Sequence, residues 1–168
     1  MKKILSIFIF LLLLVGCSLS NSPTSKVEEL LSKYQTLDSD IQSGIDDVLE
    51  SESLTSAQKS RYRNLLEKQY KNLSYQIKDE KIDGNTSVIT TEIEVTDYKK
   101  AINETANFYM GNDNYTVEEY NNTKLSNLEK VKDKVIYTIE FEVKKDNNGN
   151  WKLSSLDNDT IKKIQGMY

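Results

Sequence analysis

The spacing of apolar residues changes from a helical period to a strand period and back along this chain, which limits the folds it can adopt. Between residues 27 and 48 apolar side chains recur every three or four positions, and this predicts one long amphipathic helix. A second helical stripe begins at Thr55, where Gln58 completes a capping box. From Tyr75 the pattern alternates, most clearly over residues 89–95, which is typical of a strand with one buried face.

Turn and cap residues divide the rest of the chain into further elements. The first strand pair predicts a hairpin around Asp83-Gly84. A second hairpin has the odd positions of 135–143 on one face, a turn at 146–149 and a return strand at 151–153. The pattern predicts an α+β fold with two N-terminal helices, an antiparallel sheet of about four strands built from two hairpins, and helices packed on one face.

Each predicted helix has a polar residue in position to cap it. Besides the box at Thr55, capping boxes are predicted for the first helix and for the second helix between the hairpins. The first helix between the hairpins and the short last helix have an aspartate at the start instead. The residues are Ser25 with Glu28 for the first helix, Asp97 and then Thr116 with Glu119 for the two helices between the hairpins, and Asp157 or Asp159 for a short last helix ending at Gly166.

The first sixteen residues have the organisation of an export signal. Lys2 and Lys3 precede a mostly apolar stretch at 4–15, which is the length of a signal-peptide core and too short for a spanning helix of about 20 residues. The chain becomes polar directly after Cys17. Cleavage is therefore expected before Cys17.

This segment resembles the lipobox of bacterial lipoprotein precursors, since Leu14, Gly16 and Cys17 fit its aliphatic, small and cysteine positions. The resemblance implies a diacylglyceryl group on the Cys17 sulfur and a protein held at the extracytoplasmic face of the cell membrane. It divides the chain into a signal peptide at 1–16, a polar tether at 17–24 and a single domain at 25–168. An ordinary secretory signal, or an uncleaved anchor with a chance cysteine, is the alternative.

Composition excludes several kinds of site. The chain has no histidine, one cysteine and a formal net charge of −4, with 26 acidic and 22 basic residues. Histidine is the commonest general base and metal ligand, so no metal and no cofactor is predicted. An acidic chain is also a poor partner for nucleic acid.

Two strands carry paired carboxylates opposite their apolar face, and these could serve acid–base chemistry or calcium binding. They are Glu92, Glu94, Glu140 and Glu142. The alternation places all four on the solvated side of the sheet, where burial cannot raise a carboxyl pKa. An asparagine-rich stretch at 146–150, which begins with Asp146, resembles the start of a calcium loop without its distal glutamate, and a hairpin turn is favoured.

Aromatic side chains are the remaining candidates for a binding site. Tyrosine and tryptophan combine apolar area with a hydrogen-bonding group, which suits either a pocket or an ordinary core. The residues that could line a cavity between sheet and helices are Tyr75, Tyr98, Phe108, Tyr137 and Trp151, with Tyr109 and Phe141 beside them.

The order of elements resembles that of small Gram-positive lipoproteins that carry a nuclear-transport-factor-two-like, or cystatin-like, domain. The motifs that carry this resemblance are Ile82-Asp83-Gly84-Asn85, Asp97-Tyr98-Lys99-Lys100-Ala101 and Gly149-Asn150-Trp151-Lys152-Leu153. It implies a curved antiparallel sheet wrapped by helices, often with a pocket on the concave side. Enzymes of that fold use inward histidine and acidic residues, and this chain has no histidine, so their activity does not carry over.

These observations favour a non-enzymatic lipoprotein that binds an envelope protein or a small apolar ligand. A small hydrolase or isomerase using aspartate, glutamate and tyrosine is one alternative. A structural or immunity component of the envelope is another. A hollow, aromatic-lined concavity would favour a ligand, whereas a filled core with an exposed apolar patch would favour a protein partner.

Overall fold

The computed structural model describes residues 21–111 and 114–168, and the predicted signal peptide and Cys17 lie outside these residues. The elements, in chain order, are α1 Pro23–Thr36, α2 Ser39–Ser51, α3 Ser56–Lys71, β1 Ser74–Asp83, β2 Thr86–Thr96, α4 Lys99–Tyr109, α5 Val117–Lys130, β3 Lys134–Lys145, β4 Trp151–Leu153 and α6 Asn158–Gln165.

The four strands form one antiparallel sheet in the order β1-β2-β3-β4, which confirms the α+β fold and both hairpins. Gly84 and Gly149 lie in the two turns with φ of 57° and 80°, a backbone conformation that favours glycine. β2 and β3 pair without interruption from Thr86↔Lys144 to Thr96↔Lys134. The α4–α5 hairpin is inserted between these two strands.

Helices cover one face of the sheet, as the alternation in β2 predicts. Every second residue of β2 from Ser87 to Val95 is buried, and the residues between them are half-buried. α1 crosses this face and contacts all four strands, while α6 lies against β2. The core therefore lies between the sheet and these two helices, and the other face of the sheet is open to solvent.

The predicted long helix over residues 27–48 is wrong: the structure has two helices there, so three helices rather than two precede the sheet. α1 ends at Leu37, which has a left-handed conformation with φ of 53° and donates its N–H to Lys33 and Tyr34 carbonyls. Asp38 then caps α2 by accepting from the N–H of Asp40. Leu37 is only 8% exposed, so its burial offsets the cost of the left-handed conformation.

α1 also begins earlier than predicted. Ser22 and Ser25 form its capping box and Pro23 occupies its first turn, in place of a box between Ser25 and Glu28. Asn21 accepts a hydrogen bond from the Trp151 N–H at 2.9 Å. The last residues of the predicted tether at 17–24 are therefore part of the folded structure.

Most other predicted helix starts are confirmed. Capping boxes begin α3 at Thr55 and α5 at Thr116, and Asp157 caps α6. Asp97 does not cap α4: the residue at that position is Tyr98, which makes no side-chain capping bond. The Asp97 N–H donates instead to the Asp133 carbonyl at 2.9 Å, joining the chain where it leaves β2 to the chain where it enters β3.

Candidate interaction surface

The core between sheet and helices is filled by side chains. Tyr98 and Trp151 are 3% and 7% exposed and belong to one continuous hydrophobic cluster with the buried face of the sheet. Tyr75 and Tyr137 are half-buried and pack against the same cluster. These four aromatic residues stabilise the core, and the described residues give no sign that they enclose a hollow, apolar site.

Phe108, the fifth predicted lining residue, lies on the outside of the protein with 71% of its surface exposed. Ala101 and Thr105 form the buried side of α4 instead. Phe108 lies three residues after Thr105 and so near the same side of α4, but it is in the last turn of the helix, where its side chain is exposed. It cannot line a cavity against the sheet.

The paired carboxylates of β2 and β3 lie on the open face of the sheet, as predicted. Glu92 pairs with Lys78 at 2.9 Å, and Glu142 pairs with Lys144 at 2.7 Å. Hydrogen bonds from Lys144 and Ser154 lower the pKa of Glu142, which is the opposite of what a general acid needs. Among residues 21–111 and 114–168, no group of three or more acidic, cysteine or histidine side chains could hold a metal ion.

The asparagine-rich stretch at 146–150 is a hairpin turn, as predicted. The Asp146 carboxylate accepts from the N–H groups of Asn148 and Asn150 at 2.9 and 3.0 Å, and it pairs with Lys152. These hydrogen bonds, the one from Asn150 above all, lower the pKa of Asp146. Its oxygens are therefore occupied in stabilising the turn.

A surface depression of about 350 Å³ lies between α4 and the end of the chain. It is shallow and open to solvent, and half of its lining residues are charged, two lysines and two carboxylates. The lining residues are Asp97, Lys99, Lys100, Asn103, Glu104, Asn107, Tyr137 and Tyr168. Lysines and carboxylates alternate there, so the depression offers no uniform chemistry to a ligand.

Exposed aromatic and aliphatic side chains gather where α4 ends and α5 begins. We call this group the aromatic tip; it consists of Phe108, Tyr109, Met110, Tyr115, Val117 and Tyr120. The Tyr109 ring lies at its centre, with ring centroids 5.0 Å from Phe108, 4.4 Å from Tyr115 and 5.4 Å from Tyr120. Met110 and Val117 are 76% and 62% exposed.

Hydrogen bonds along the α4–α5 hairpin fix the position of the aromatic tip. Asn127 of α5 donates to the buried Thr105 hydroxyl of α4 at 2.9 Å. Nearer the tip, the Tyr109 and Thr123 hydroxyls lie 2.9 Å apart. These contacts join the two helices along their length, so the tip is held on a paired helical support.

α3 supports the hairpin from the other side. Arg61 makes a bidentate ion pair with Glu129, with Nε–Oε1 and Nη2–Oε2 distances of 2.7 and 2.9 Å. The Arg61 guanidinium lowers the pKa of Glu129. Gln58 donates to the Glu118 carbonyl and to Asn122. α5 is thus attached to α3 at both its start and its end.

From the sequence, Phe108 and Tyr109 were predicted to line a cavity between sheet and helices, and the aromatic tip was not predicted. A signal was present: apolar and aromatic residues cluster on both sides of the break at 111–114. No lysine or arginine occurs between Lys100 and Lys124, while four acidic residues do. The aromatic tip therefore lies in a segment whose charged residues are all acidic, whereas the remaining chain carries charges of both signs.

Comparisons with known proteins do not identify a family. No protein-family model matches the chain, and no curated protein matches it. A solved structure, that of the candidate lipoprotein ycdA from Bacillus subtilis, matches with a TM-score of 0.42 and 17% identity over 83% of this chain. The match covers 46% of ycdA, so this chain spans about half the length of that protein.

The resemblance to nuclear-transport-factor-two-like lipoproteins therefore stays a prediction from the sequence. Within the part of the chain that the structure describes, no helix is long and apolar enough to cross a membrane.

Proposed function

We propose that this protein is a non-enzymatic binding module, held at the extracytoplasmic face of the cell membrane by a lipid on Cys17, that binds an envelope protein through its aromatic tip. The observation that carries this proposal is the exposure of Phe108, Met110 and Val117, at 71%, 76% and 62%, at the end of the α4–α5 hairpin where the Tyr109 ring contacts the rings of Phe108, Tyr115 and Tyr120. Exposed apolar clusters on a folded surface mark interaction sites more often than single exposed residues do.

The filled core supports a protein partner over a small ligand. The side chains that could have enclosed a ligand, Tyr98 and Trp151, are packed into the continuous core. Small-molecule sites are concave and largely enclosed, whereas the depression of about 330 Å³ beside Tyr109 and Tyr115 in the aromatic tip is open to solvent. The flexible Met110 and rigid tyrosine rings of the tip are typical of the centres of protein–protein interfaces.

Charge favours a protein over the membrane surface as the partner of the tip. The segment between Lys100 and Lys124 contains acidic residues and no basic ones, and Glu118 and Glu119 lie in the first turn of α5. Anionic lipid headgroups attract basic segments and repel acidic ones. We infer that the partner presents an apolar depression bordered by basic side chains.

The position of the anchor supports the same choice. Asn21 contacts Trp151 at one end of β3, whereas the α4–α5 hairpin joins the sheet at Asp97 and Asp133, near the other end. β3 has 12 residues and spans about 35 Å at 3.3 Å per residue. α5 has 14 residues and is about 21 Å long. Because this is shorter than β3, a hairpin that starts near Asp133 cannot place its tip at the end of the sheet that contacts Asn21.

The test is photocrosslinking of the full-length protein in living cells. A benzophenone amino acid is placed at position 108 or 117 in the tip, and at position 82 as a control. Ile82 is an exposed apolar residue of β1 at 59% and lies outside the aromatic tip. We expect one reproducible protein adduct from the two tip positions and not from the control.

The Phe108→Ser/Val117→Ser variant should reduce capture of that partner by at least tenfold, as is typical of residues at the centre of an interface. The Ile82→Ser variant should capture it normally. Adducts with lipid alone, or no tip adduct beyond the level of the position-82 control, would show that the tip does not bind an envelope protein.

A further inference from the structure

The outer edge of β3 is unpaired over most of its length. β3 pairs with β2 along its inner edge from Lys134 to Lys144, but β4 covers its outer edge only at residues 143–145. Ser154 extends this cover by one hydrogen bond, from its N–H to the Glu142 carbonyl. Residues 134–141 have no backbone partner on that side among the described residues.

The direction of the free groups follows from the alternation of the strand. Since the Glu142 carbonyl points to the outer edge and the Lys145 N–H points to the β2 side, the even-numbered residues direct their N–H and C=O groups outward. Those residues are Lys134, Ile136, Thr138 and Glu140, all of them exposed. An extended strand laid along this edge would find four donors and four acceptors.

The other edge of the sheet is protected against such pairing, and the β3 edge is not. β1 has an irregular register between Ile77 and Asp79 and carries charges at residues 78–81. Bulges and charged side chains are the usual means of blocking a free edge. The β3 edge is regular against β2 over all eleven pairs, and its two middle outward residues, Ile136 and Thr138, are uncharged β-branched residues with high strand propensity.

We propose that the β3 edge binds the same edge of a second copy of this chain, forming a continuous antiparallel sheet in which the two β3 strands are neighbours and six long strands lie side by side. The edge is complementary to itself in one register, with a two-fold axis at Tyr137. Lys134 then lies opposite Glu140 of the second copy, and Ile136 lies opposite its Thr138. On the covered face, Val135 meets Ile139 and the half-buried Tyr137 meets its own counterpart.

This register uses the free groups fully and avoids the covered part of the strand. The overlap runs from 134 to 140, so it ends before Glu142, whose carbonyl is bonded to Ser154. Lys134 is 4.0 Å from Glu94 in the single chain, a weak surface pair that pairing with Glu140 can replace. Aromatic, β-branched and opposite-charge pairs are the cross-strand combinations that stabilise antiparallel sheets.

The pairing also sets how far apart the two N-terminal ends of the dimer lie. Antiparallel β3 strands place the two Asn21 residues, which contact Trp151, on opposite sides of the two-fold axis. From Tyr137 to Lys145, the partner of Trp151, is eight steps, or about 26 Å at 3.3 Å per residue.

The first test is disulfide trapping of full-length protein in cells. Tyr137→Cys places two cysteines at the two-fold axis, in a non-hydrogen-bonded pair with a Cα separation of about 4.5 Å, which a disulfide can bridge. The control is Lys81→Cys, on the protected edge. We expect a disulfide-linked dimer from position 137 and none from position 81; equal amounts from the two positions would overturn the proposal.

Two copies with different tags, one Ile136→Cys and one Thr138→Cys, leave Tyr137 in place and should form a mixed dimer. This pair keeps the test valid if loss of the Tyr137 ring impairs folding. A mixed disulfide with a different protein, without the tagged dimer, would show that another chain occupies the edge.

A charge exchange tests the register itself. Lys134→Glu places two carboxylates opposite each other at both ends of the overlap and should lower the trapped dimer by about tenfold. Adding Glu140→Lys reverses both charges and should restore it. If Lys134→Glu has no effect, or the second change does not restore the dimer, the proposed register is wrong. Phe108→Ser should leave the dimer unchanged, so this result is independent of the partner of the aromatic tip.

Discussion

Gln69 joins α3 to the end of β2 through two hydrogen bonds from one buried amide. Its Nε2 donates to the Thr96 carbonyl and its Oε1 accepts from the Thr96 N–H, both at 3.1 Å. Gly166 completes this junction: a Cβ there would lie 1.9 Å from the Thr96 oxygen, and its φ is 70°. Tyr98 donates its N–H to the Gly166 carbonyl at 2.7 Å, so three segments meet at one backbone position.

Replacing Gln69 with Leu should destabilise the protein strongly. The variant keeps the volume but removes the partner of the Thr96 N–H and leaves the Thr96 carbonyl with the Tyr98 N–H as its remaining donor, which costs about 1–3 kcal/mol of unfolding free energy. Urea unfolding followed by circular dichroism measures this. The control is Gln76→Leu, on the exposed side of β1, which should change the unfolding free energy by less than about 0.5 kcal/mol. Equal losses in the two variants would contradict this role of Gln69.

Buried tyrosines make stability sensitive to alkaline pH. Burial, with a smaller contribution from Tyr70, raises the pKa of Tyr34 to about 12 from 10. The folded state therefore holds a proton that the unfolded state releases above pH 10, so this contribution is fully present below pH 10 and is lost as pH rises through 12. At pH 11 the raised pKa of Tyr34 alone should lower the free energy of unfolding by about 1 kcal/mol relative to its value below pH 10.

Urea unfolding at pH 8 and pH 11 tests this, with Tyr34→Phe as the comparison. The phenylalanine variant should lose about 1 kcal/mol less between the two values than the unsubstituted protein does, since it has no phenol to ionise. Identical losses would show that the Tyr34 hydroxyl ionises normally in the folded state.

Among the elements, the break between α1 and α2 shows why helical periodicity alone predicted one long helix where the structure has two. Leu37 and Ile41 keep the three- and four-residue spacing on both sides of the break, so the pattern has no interruption there. Leu37 has no glycine or proline beside it, and the left-handed conformation depends on burial of its side chain at 8% exposure. Only contacts formed in the folded protein can favour a left-handed leucine.

The capping box of α5 fixes the helix that carries one side of the aromatic tip. The Thr116 hydroxyl accepts from the Glu119 N–H at 3.1 Å, and the Glu119 carboxylate accepts from the Thr116 N–H at 2.8 Å. Thr116→Ala should lower the unfolding free energy by about 1 kcal/mol, whereas Thr116→Ser should keep most of it because the hydroxyl remains. Thermal unfolding of both variants measures the difference. Equal melting temperatures for Ala and Ser would contradict the capping role.

For the molecule as a whole, the proposed anchor at Cys17 predicts how close the domain lies to the membrane. Three residues separate Cys17 from Asn21, and the four steps between them extend over at most about 14 Å. Since Asn21 is bonded to Trp151, a lipid on Cys17 would hold the end of the sheet that carries β4 near the membrane.

Cys17→Ala should release the protein from the membrane, because two acyl chains are needed for stable anchoring and the variant cannot accept them. Fractionation of cells, with immunoblotting of membrane and medium, measures this. Ser18→Ala, next to the lipobox, serves as the control and should stay in the membrane fraction. Equal sedimentation of the Cys17→Ala variant and the control with membranes would contradict lipid attachment at Cys17.

The buried face of a strand, the hairpin turns and two helix starts could be predicted from the sequence alone. The alternation over 89–95 assigned the buried face of β2, the turns at Gly84 and Gly149 located both hairpins, and the boxes at Thr55 and Thr116 located two helix starts. Each of these depends on neighbours within a few positions of the chain, where backbone conformation and local hydrogen bonds decide the outcome.

Which apolar residues remain exposed depends on tertiary packing. Tyr98 and Phe108 are aromatic residues ten positions apart, yet one is 3% and the other 71% exposed, because Tyr98 packs into the core cluster and Phe108 lies in the last turn of α4, beside the exposed end of the α4–α5 hairpin. The open edge of β3 has the same origin: it exists because β4 is three residues long where β3 is twelve. Exposure and pairing depend on which distant segments meet, and the local pattern of residues does not contain that information.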